Sequence, residues 1–485
     1  MQIRRSLWIT FAFSNVTTVV MFALSLILAR LLTPHEIGVF SVCFAVTTFC
    51  AVFRDLGAAT YLIRKETVDN EDVGAVLGLT LTSSALIAAV LWLLRHRMAD
   101  FFGEPTFATV LPILLFNFML IPVAASMTAM LVRNLSAGRT ALVGGISTLS
   151  YSTVVLALAI NGFGAEAQAW ANTANLVSTI ICLVLVMPKS FRLRPRWRGW
   201  GGQLKFARGM VVAQLAAAAN QALPDAVLGR TLGAYFVGMF SRANGTVGLF
   251  NQAFGPTVAY NALPIIARTH HQGPAAVASL LSRSTAFLTA LAWPIYVWLA
   301  IFPAEVIGLL YGQAWLAAAP LMPWLCLAAA AKAPFLTVEP ALQAINRPFS
   351  AAKGMAAGLF CRVLLLGALG FADLHRFVVL LCVADVVANL AWALAARKHL
   401  GLGFRALSSC LRGSMLLAAA CMGVALATRW ALDGHGLAPG WVVLISGGAV
   451  LLTWLVALFG VRHPFADELG NAWQRLRGAL GQSGR

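Results

Sequence analysis

The chain alternates long apolar runs with short polar connections, and this pattern predicts its secondary structure. Most of the apolar runs reach about 20 residues, which is the length that an α-helix needs to cross the hydrocarbon core of a bilayer. The pattern therefore predicts about fourteen membrane-spanning helices. Their approximate positions are 7–32, 37–63, 73–94, 107–132, 142–162, 165–187, 206–230, 234–262, 279–302, 316–336, 351–370, 376–396, 411–431 and 439–460.

Composition agrees with this pattern. Hydrophobic residues make up 60% of the 485 residues and charged residues only 11%, and the mean hydropathy is +0.81. A soluble domain carries about 25% charged residues. A membrane β-barrel would show alternating segments of about ten residues, which the sequence lacks. We therefore predict an all-α polytopic membrane protein in which no connection is long enough to form a soluble domain.

The positive charge is distributed as a topology signal. The net charge is +18, but Arg and Lys fall mainly in alternate connections, as the positive-inside rule requires. This predicts that both chain ends are cytoplasmic, and it gives no reason to expect nucleic acid as a partner. The apolar run after Arg4 and Arg5 is too long for a signal peptide, so it is predicted to be a retained first span. The most basic connection, 189–205, is predicted to link two lobes and to contact anionic lipid headgroups.

A short pattern occurs twice in the chain. Residues 28–41 read LARLLTPHEIGVFS and residues 228–241 read LGRTLGAYFVGMFS. The coinciding positions are Leu28/Leu228, Arg30/Arg230, Leu32/Leu232, Gly38/Gly238, Phe40/Phe240 and Ser41/Ser241. Internal repeats in a membrane chain indicate a transporter with two related lobes, and an even number of spans between the copies makes the repeats parallel. The predicted organisation is a six-helix lobe at 1–188, a basic linker at 189–205, a second six-helix lobe at 206–400, two additional spans at 401–462 and a cytoplasmic tail at 463–485.

Several motifs occur in an order that resembles a known family. They lie at 38–65 (with DLG and IRK), 223–243 (with LPDAVLGR and FSRA), 261–268 (NALPIIAR), 309–320 (LLYGQAWLAAAP) and 341–348 (ALQAINRP). Together they resemble the polysaccharide-transporter branch, with its Wzx-type flippases, of the multidrug/oligosaccharidyl-lipid/polysaccharide exporter superfamily. The resemblance implies two six-helix bundles around a central cavity, and alternating access to that cavity.

Ionisable residues inside predicted spans are the candidates for function. Each costs about 2.5–3.5 kcal/mol on insertion scales, so such residues usually face a cavity or a partner. Four cations are predicted to bind an anionic cargo, with the first two preferred: Arg54, Arg242, Lys332 and Arg362. Four carboxylates are predicted to bind a coupling ion or to pair with a cation: Asp55, Asp225, Glu339 and Asp385. The alternative is that each side chain lies at a span end and reaches the interface.

Two expectations concern the geometry of these charges. Arg54 and Asp55 are adjacent and point about 100° apart on a helix, so we expect them to contact different groups. Asp225 and Arg242 flank the second copy of the repeat, and we expect them to approach each other across it.

Arginines in a cavity suit a polyprenyl-diphosphate-linked oligosaccharide, because guanidinium groups bind phosphate bidentately and replace lost hydration. The predicted function is translocation of such a repeat unit across the bacterial inner membrane for lipopolysaccharide, capsule or exopolysaccharide synthesis. The expected partners are this lipid-linked cargo, membrane lipids, a polysaccharide polymerase and a chain-length regulator. The alternatives are a cation-coupled multidrug exporter, which would need an acidic cavity, and a flippase for the peptidoglycan precursor.

Enzyme activity is not predicted. The sequence contains neither a P-loop, GxxxxGK[ST], nor a GxSxG nucleophile elbow. The eight cysteines are scattered without a CxxC pair, so neither a metal site nor a disulfide framework is expected, and no cofactor is predicted. The acidic run 69–72 is predicted to be a solvated turn.

Overall fold

The computed structural model describes residues 2–133, 137–187 and 193–466. These residues form helices joined by short turns, and eleven helices are long and apolar enough to cross a membrane. A further apolar helical stretch, Val16–Leu31, is shorter. The predicted all-α membrane fold is confirmed, whereas the count of about fourteen spans stays a prediction.

The chain divides into two units, Met1–Ser241 and Arg242–Arg485. The helices that begin in the first unit are α1 Gln2–Leu31, α2 Pro34–Asp55, α3 Ala58–Arg64, α4 Asn70–Phe102, α5 Phe107–Arg133, α6 Ala137–Ile160, α7 Ala165–Val186, α8 Gly201–Thr231 and α9 Ala234–His270. The helices of the second unit are α10 Pro274–Ile301, α11 Pro303–Tyr311, α12 Met322–Lys332, α13 Val338–Ala344, α14 Pro348–Leu369, α15 Leu374–Leu400, α16 Phe404–Leu432 and α17 Pro439–Gly460. The predicted lobe, linker and tail boundaries stay predictions, and most of the tail lies outside the described residues.

The predicted span 37–63 is not one helix. It is interrupted between α2 and α3, where Leu56 has a φ of 43° and Gly57 a φ of 68°. Glycine adopts this left-handed conformation readily, but for leucine it is uncommon and strained. Hydrophobic periodicity continues through the interruption, which explains why the sequence pattern predicted a single helix.

Arg133 fixes α3 after the interruption. Its guanidinium donates hydrogen bonds to the carbonyl oxygens of Leu62 at 3.0 Å, Lys65 at 2.5 Å and Glu66 at 2.7 Å. The last carbonyls of a helix have no partner within the helix, so this cation caps α3 from α5. The interruption is therefore a built feature of the first unit.

The predicted span 316–336 is also interrupted. A 3-10 helix at Gln313–Leu321 precedes α12, and a second at Ala333–Phe335 separates α12 from α13. Pro320, Pro323 and Pro334 lie along this segment. Proline removes a backbone donor and clashes with the preceding turn, so repeated prolines break the helix into short pieces.

The outer face of α17 shows why these helices need a membrane. Leu444 and Leu452 are each 65% exposed, and Val456 is 73% exposed. Ser446 and Leu458 of the same helix are fully buried. An apolar face turned outward over a whole helix is typical of contact with lipid.

Candidate functional site

The interruption of the second span carries an ion pair. Nε of Arg54 lies 2.6 Å from Oδ1 of Asp55, and the second terminal nitrogen lies 2.9 Å from Oδ2. The expectation that these neighbours contact different groups is therefore wrong. Because α2 ends at Asp55, the carboxylate lies at the helix terminus, and the long arginine side chain folds back to it. Arg54 is only 4% exposed, whereas the Asp55 side chain is 45% exposed.

Arg54 packs against α5 and α4 of the first unit. Its guanidinium lies 4.3 Å from the ring centroid of Phe118, near the middle of α5. Its carbonyl accepts a hydrogen bond of 3.0 Å from Ser83, which is central in the apolar run 73–94. A guanidinium has five N–H donors, and the ion pair with Asp55 uses two of them. Arg54 is thus a buried cation with three N–H donors beyond its ion pair with Asp55.

Arg242 is held in a different way. Its guanidinium carbon lies 5.6 Å from the centroid of the Tyr311 ring and 5.4 Å from that of Trp315. Tyr311 is 4% exposed and Trp315 is fully buried. The Tyr311 hydroxyl is 2.9 Å from the hydroxyl of Thr246, one turn along α9 from Arg242. The two rings attract the cation through their negative faces, and they belong to the LLYGQAWLAAAP motif, whose role the sequence alone did not reveal.

Arg362 and Asp385 form an ion pair between α14 and α15. The two bonds measure 2.8 Å and 3.1 Å, so the contact is bidentate. The side chains are 18% and 27% exposed. Asp385 is therefore placed to orient Arg362, one of the two roles predicted for it.

Lys332 and Glu339 flank the second 3-10 helix of the second unit. Lys332 is exposed at the end of α12, and Glu339 is half-buried in the first turn of α13. Glu339 accepts a hydrogen bond of 3.2 Å from Gln343. A cation at a helix C-terminus and an anion at an N-terminus both complement the helix dipoles. The positions of these two side chains are explained by the helix dipoles as well as by cargo binding.

Asp225 is half-buried in α8, directly after Pro224. The described geometry adds no partner that would assign it a role. Its predicted approach to Arg242 stays a prediction.

The repeated pattern folds alike in both copies and makes a contact that the sequence did not reveal. One copy ends α1 at Leu31 and begins α2 at Pro34, and the other ends α8 at Thr231 and begins α9 at Ala234. A Cβ atom on Gly38 would overlap the carbonyl oxygen of Ala234. A Cβ atom on Gly238 would likewise overlap the carbonyl oxygen of Pro34. Within the first unit, the repeated glycines thus allow α2 and the start of α9 to touch backbone to backbone.

An apolar cavity of about 320 Å³ lies between α10 and α17. Its lining includes Leu291, Ile295 and Trp298 on one side and Val450 and Leu451 on the other. The apolar side chains leave it suited to a hydrocarbon group. No charge pattern in the sequence indicated it.

The fold identifies the class of protein. Over 94% of its length, the chain is similar to a solved structure described as "Lipid II flippase MurJ, inward closed conformation", with a TM-score of 0.74, 13% identity and 98% of that chain covered. It is also similar to an inward-facing multidrug resistance MATE transporter of the MOP superfamily, with a TM-score of 0.64, 14% identity and coverage of 83% and 99% of the two chains. At these identities the likeness shows the fold alone, a two-lobe helical fold that both solved structures have.

The family match is more specific than the likeness in fold. The chain belongs to the family described as "Polysaccharide biosynthesis protein", which matches residues 27–320, so the predicted branch of the superfamily is confirmed. The chain is 26% identical over 66% of its length to the succinoglycan biosynthesis transport protein ExoT of Rhizobium meliloti (strain 1021). It is 22% identical over 64% of its length to the teichuronic acid biosynthesis protein TuaB of Bacillus subtilis (strain 168). These matches span 65% and 63% of the two relatives' own lengths.

Proposed function

We propose that the chain translocates a polyprenyl-diphosphate-linked oligosaccharide repeat unit across the bacterial inner membrane by alternating access. The observation that carries the proposal is Arg54, a buried cation with N–H donors beyond those that bind Asp55. The relatives' names, which refer to succinoglycan transport and teichuronic acid biosynthesis, support a polysaccharide pathway.

The diphosphate is the part of such a cargo that the membrane opposes. Transfer of an unpaired ionised group into hydrocarbon costs far more than the few kcal/mol of a lost hydrogen bond. A buried arginine replaces hydration with charge-assisted hydrogen bonds, and its planar fork matches the phosphate oxygens. Arg242 and Arg362 are the next candidates for binding phosphate, followed by Lys332.

The lipid part of the cargo needs a different environment. The apolar cavity lined by Trp298 and Leu451 supports a cargo with a hydrocarbon chain, because burying such a chain stabilises the bound state by about 0.8 kcal/mol per methylene. We therefore assign the headgroup to the arginines and the chain to apolar surface.

A multidrug exporter for cations is the second candidate, favoured by the fold shared with the MATE transporter. Cationic drugs need carboxylates that are free to bind them. Asp55 and Asp385 are each bound by an arginine at 2.6 Å and 2.8 Å. This pairing favours an anionic cargo over a cationic one.

In this proposal the protein performs no covalent chemistry. The gradient of a coupling ion, or consumption of the product outside, drives the transfer, and Asp225 or Glu339 is the candidate ion ligand. Both chain ends are cytoplasmic, and a polymerase and a chain-length regulator use the product.

The test is deletion of the gene, followed by extraction of lipid-linked intermediates and scoring of their leaflet. We expect polyprenyl-diphosphate oligosaccharide to accumulate in the inner leaflet while surface polysaccharide is lost. Normal polysaccharide together with new sensitivity to cationic drugs would assign the protein to the second candidate.

A further inference from the structure

The described part of the basic linker, residues 193–205, packs against the start of α4, and we call it the strap. The backbone N–H of Arg196 donates a hydrogen bond of 2.8 Å to the carbonyl of Gly74. A Cβ atom on Gly74 would overlap the carbonyl oxygen of Arg194, and one on Gly78 would overlap that of Arg196. Glycines at both positions therefore form the groove in which the strap lies.

Side chains hold the strap at further points. A terminal nitrogen of Arg196 lies 2.6 Å from Oε1 of Glu71. Within the strap, the indole N–H of Trp200 donates to the carbonyl of Arg196 at 3.2 Å, and directly after the strap the ring of Phe206 packs 5.7 Å from that of Tyr61. A connection that only tethered two lobes would need none of these contacts. The strap is instead a fixed surface.

The acidic residues beside the strap already have partners. Asp69 and Asp72 form a capping box at the start of α4, so the predicted solvated turn 69–72 is in fact a helix cap. The backbone N–H of Asp72 lowers the pKa of the Asp69 carboxyl. Asp72 also accepts a hydrogen bond of 2.5 Å from Lys65, which raises the pKa of that ammonium group, and Glu71 is bound by Arg196.

Besides Arg196, three cations of the strap are exposed. They are Arg194, Arg198 and Lys205, and within residues 2–133, 137–187 and 193–466 no acidic side chain forms a salt bridge with them. Two apolar side chains lie among them, Trp197 at 64% exposed and Leu204 at 40% exposed. The strap therefore presents cations and exposed apolar groups together.

We propose that the strap binds the phosphate headgroups of anionic phospholipids. Tryptophan favours the headgroup level of a bilayer, and basic residues next to a membrane span are attracted to anionic lipid. Trp197 and Leu204 enter the interface while the three cations contact phosphate oxygens. This inference rests on the proposed orientation, in which the strap is cytoplasmic, but lipid binding is measurable without transport.

The experiment uses the purified full chain in detergent, titrated with phosphatidylglycerol or phosphatidylcholine and followed by native mass spectrometry. We expect selective retention of phosphatidylglycerol by the unchanged protein. The variant Arg194→Gln/Arg198→Gln/Lys205→Gln should lose about a hundredfold in affinity, because each basic residue at an anionic surface contributes roughly a fivefold factor. The control Arg95→Gln/Arg97→Gln removes cations that the topology places on the opposite side, and it should retain the lipid. Equal retention by the triple variant and the control overturns the proposal.

A second comparison tests the fixed shape of the strap. Gly74→Ala keeps every charge but displaces the backbone of Arg194, so phosphatidylglycerol affinity should fall severalfold. Gly138→Ala is the control, because a Cβ atom there meets nothing within 4 Å. If Gly74→Ala binds the lipid as the unchanged protein does, the strap is not a preformed surface.

Competition separates phospholipid from other sources of phosphate. Phosphatidylglycerol should remain bound in the presence of millimolar inorganic phosphate or a polyprenyl diphosphate. Displacement by inorganic phosphate would contradict a lipid surface, and preferential displacement by polyprenyl diphosphate would reassign the strap to the cargo. Neither result depends on whether the protein transports the cargo.

Discussion

Arg54 and Arg242 are both cations inside a membrane protein, but the chain stabilises them by different means. Arg54 is bound by a carboxylate at 2.6 Å and covered by one ring. Arg242 lies against two buried rings, at 5.6 Å and 5.4 Å. An ion pair offers a counter-charge with which an anionic cargo must compete, whereas an aromatic ring attracts the cation without adding a counter-charge. We therefore expect the Asp55 carboxylate to help Arg54 release its cargo.

Removing either cation should have the largest effect. Arg54→Ala and Arg242→Ala should each lower transport about tenfold or more, since a charge-assisted hydrogen bond contributes about 1.5–3 kcal/mol. Surface polysaccharide and lipid-linked intermediates are measured together with membrane abundance. Arg95→Ala is the control, because Arg95 also stacks on a ring, that of Trp92 at 4.0 Å, but on an exposed part of α4. Normal transport by both variants would show that these arginines do not line the path.

The repeated glycines, Gly38 and Gly238, lie at equivalent positions and allow α2 and α9 to approach closely. Gly38→Ala must push α2 away from the carbonyl of Ala234, and overpacking of this kind costs about 1–3 kcal/mol, with backbone overlap at the upper end. We expect most transport to be lost while the protein stays in the membrane. Gly245→Ala in α9 is the matched control, because a Cβ atom there meets nothing within 4 Å. If the two variants behave alike, the close approach has no role in transport.

Damage to the aromatic support of Arg242 should reduce stability. Trp315→Leu removes much of a fully buried ring, and we expect a loss of about 2–3 kcal/mol in the free energy of unfolding. Trp315→Phe keeps a ring and should lose less. Thermal unfolding in detergent compares the two variants. The same melting temperature for both would mean that the ring does not stabilise the cation.

Weakening the ion pair of Arg54 should change cargo handling more than folding. Asp55→Asn removes the competing negative charge but keeps an amide oxygen that can accept a hydrogen bond from Arg54, which offsets part of the lost stabilisation. We expect severalfold tighter cargo binding together with slower turnover. Binding and transport are measured separately with a fluorescent polyprenyl diphosphate. Weaker binding in this variant would contradict competition between Asp55 and the cargo.

The smallest effect is expected at the hydroxyl of Tyr311. Tyr311→Phe keeps the ring near Arg242 and removes the hydrogen bond to Thr246, which contributes about 1 kcal/mol. Transport should stay near normal, with a small fall in melting temperature. A loss of transport as large as that of Arg242→Ala would indicate that the hydroxyl itself contacts the cargo.

The lengths of the apolar runs predicted most of the long helices, because the thickness of the bilayer sets how long a spanning helix must be. It also located the repeated junctions, since α2 and α9 begin at equivalent positions. It did not predict the interruption at Leu56, because periodicity depends on side chains and continues through a change in backbone dihedrals. The prolines around Pro334 did carry a signal for the second interruption.

The sequence indicates which residues are candidates for the site, but it does not indicate which groups these residues contact. The free-energy cost of placing a charged side chain in a membrane identifies Arg54, Arg242 and Arg362 as candidates from the sequence alone. Their partners depend on distant positions, as with Trp315 for Arg242 and Asp385 for Arg362, and one sequence does not specify which helices become neighbours. The neighbouring pair Arg54 and Asp55 was missed because ideal helix geometry does not hold where a helix ends.

Reconstitution of the purified protein in liposomes tests the central claim most directly. A fluorescent polyprenyl-diphosphate oligosaccharide is placed in both leaflets, and the fraction accessible from outside is followed over time. Our account predicts rapid exchange between leaflets with the unchanged protein, and exchange that is about tenfold slower or more with Arg54→Ala. If the unchanged protein leaves this lipid in place but moves a cationic drug, the buried arginine does not serve an anionic cargo, and the proposed function is wrong.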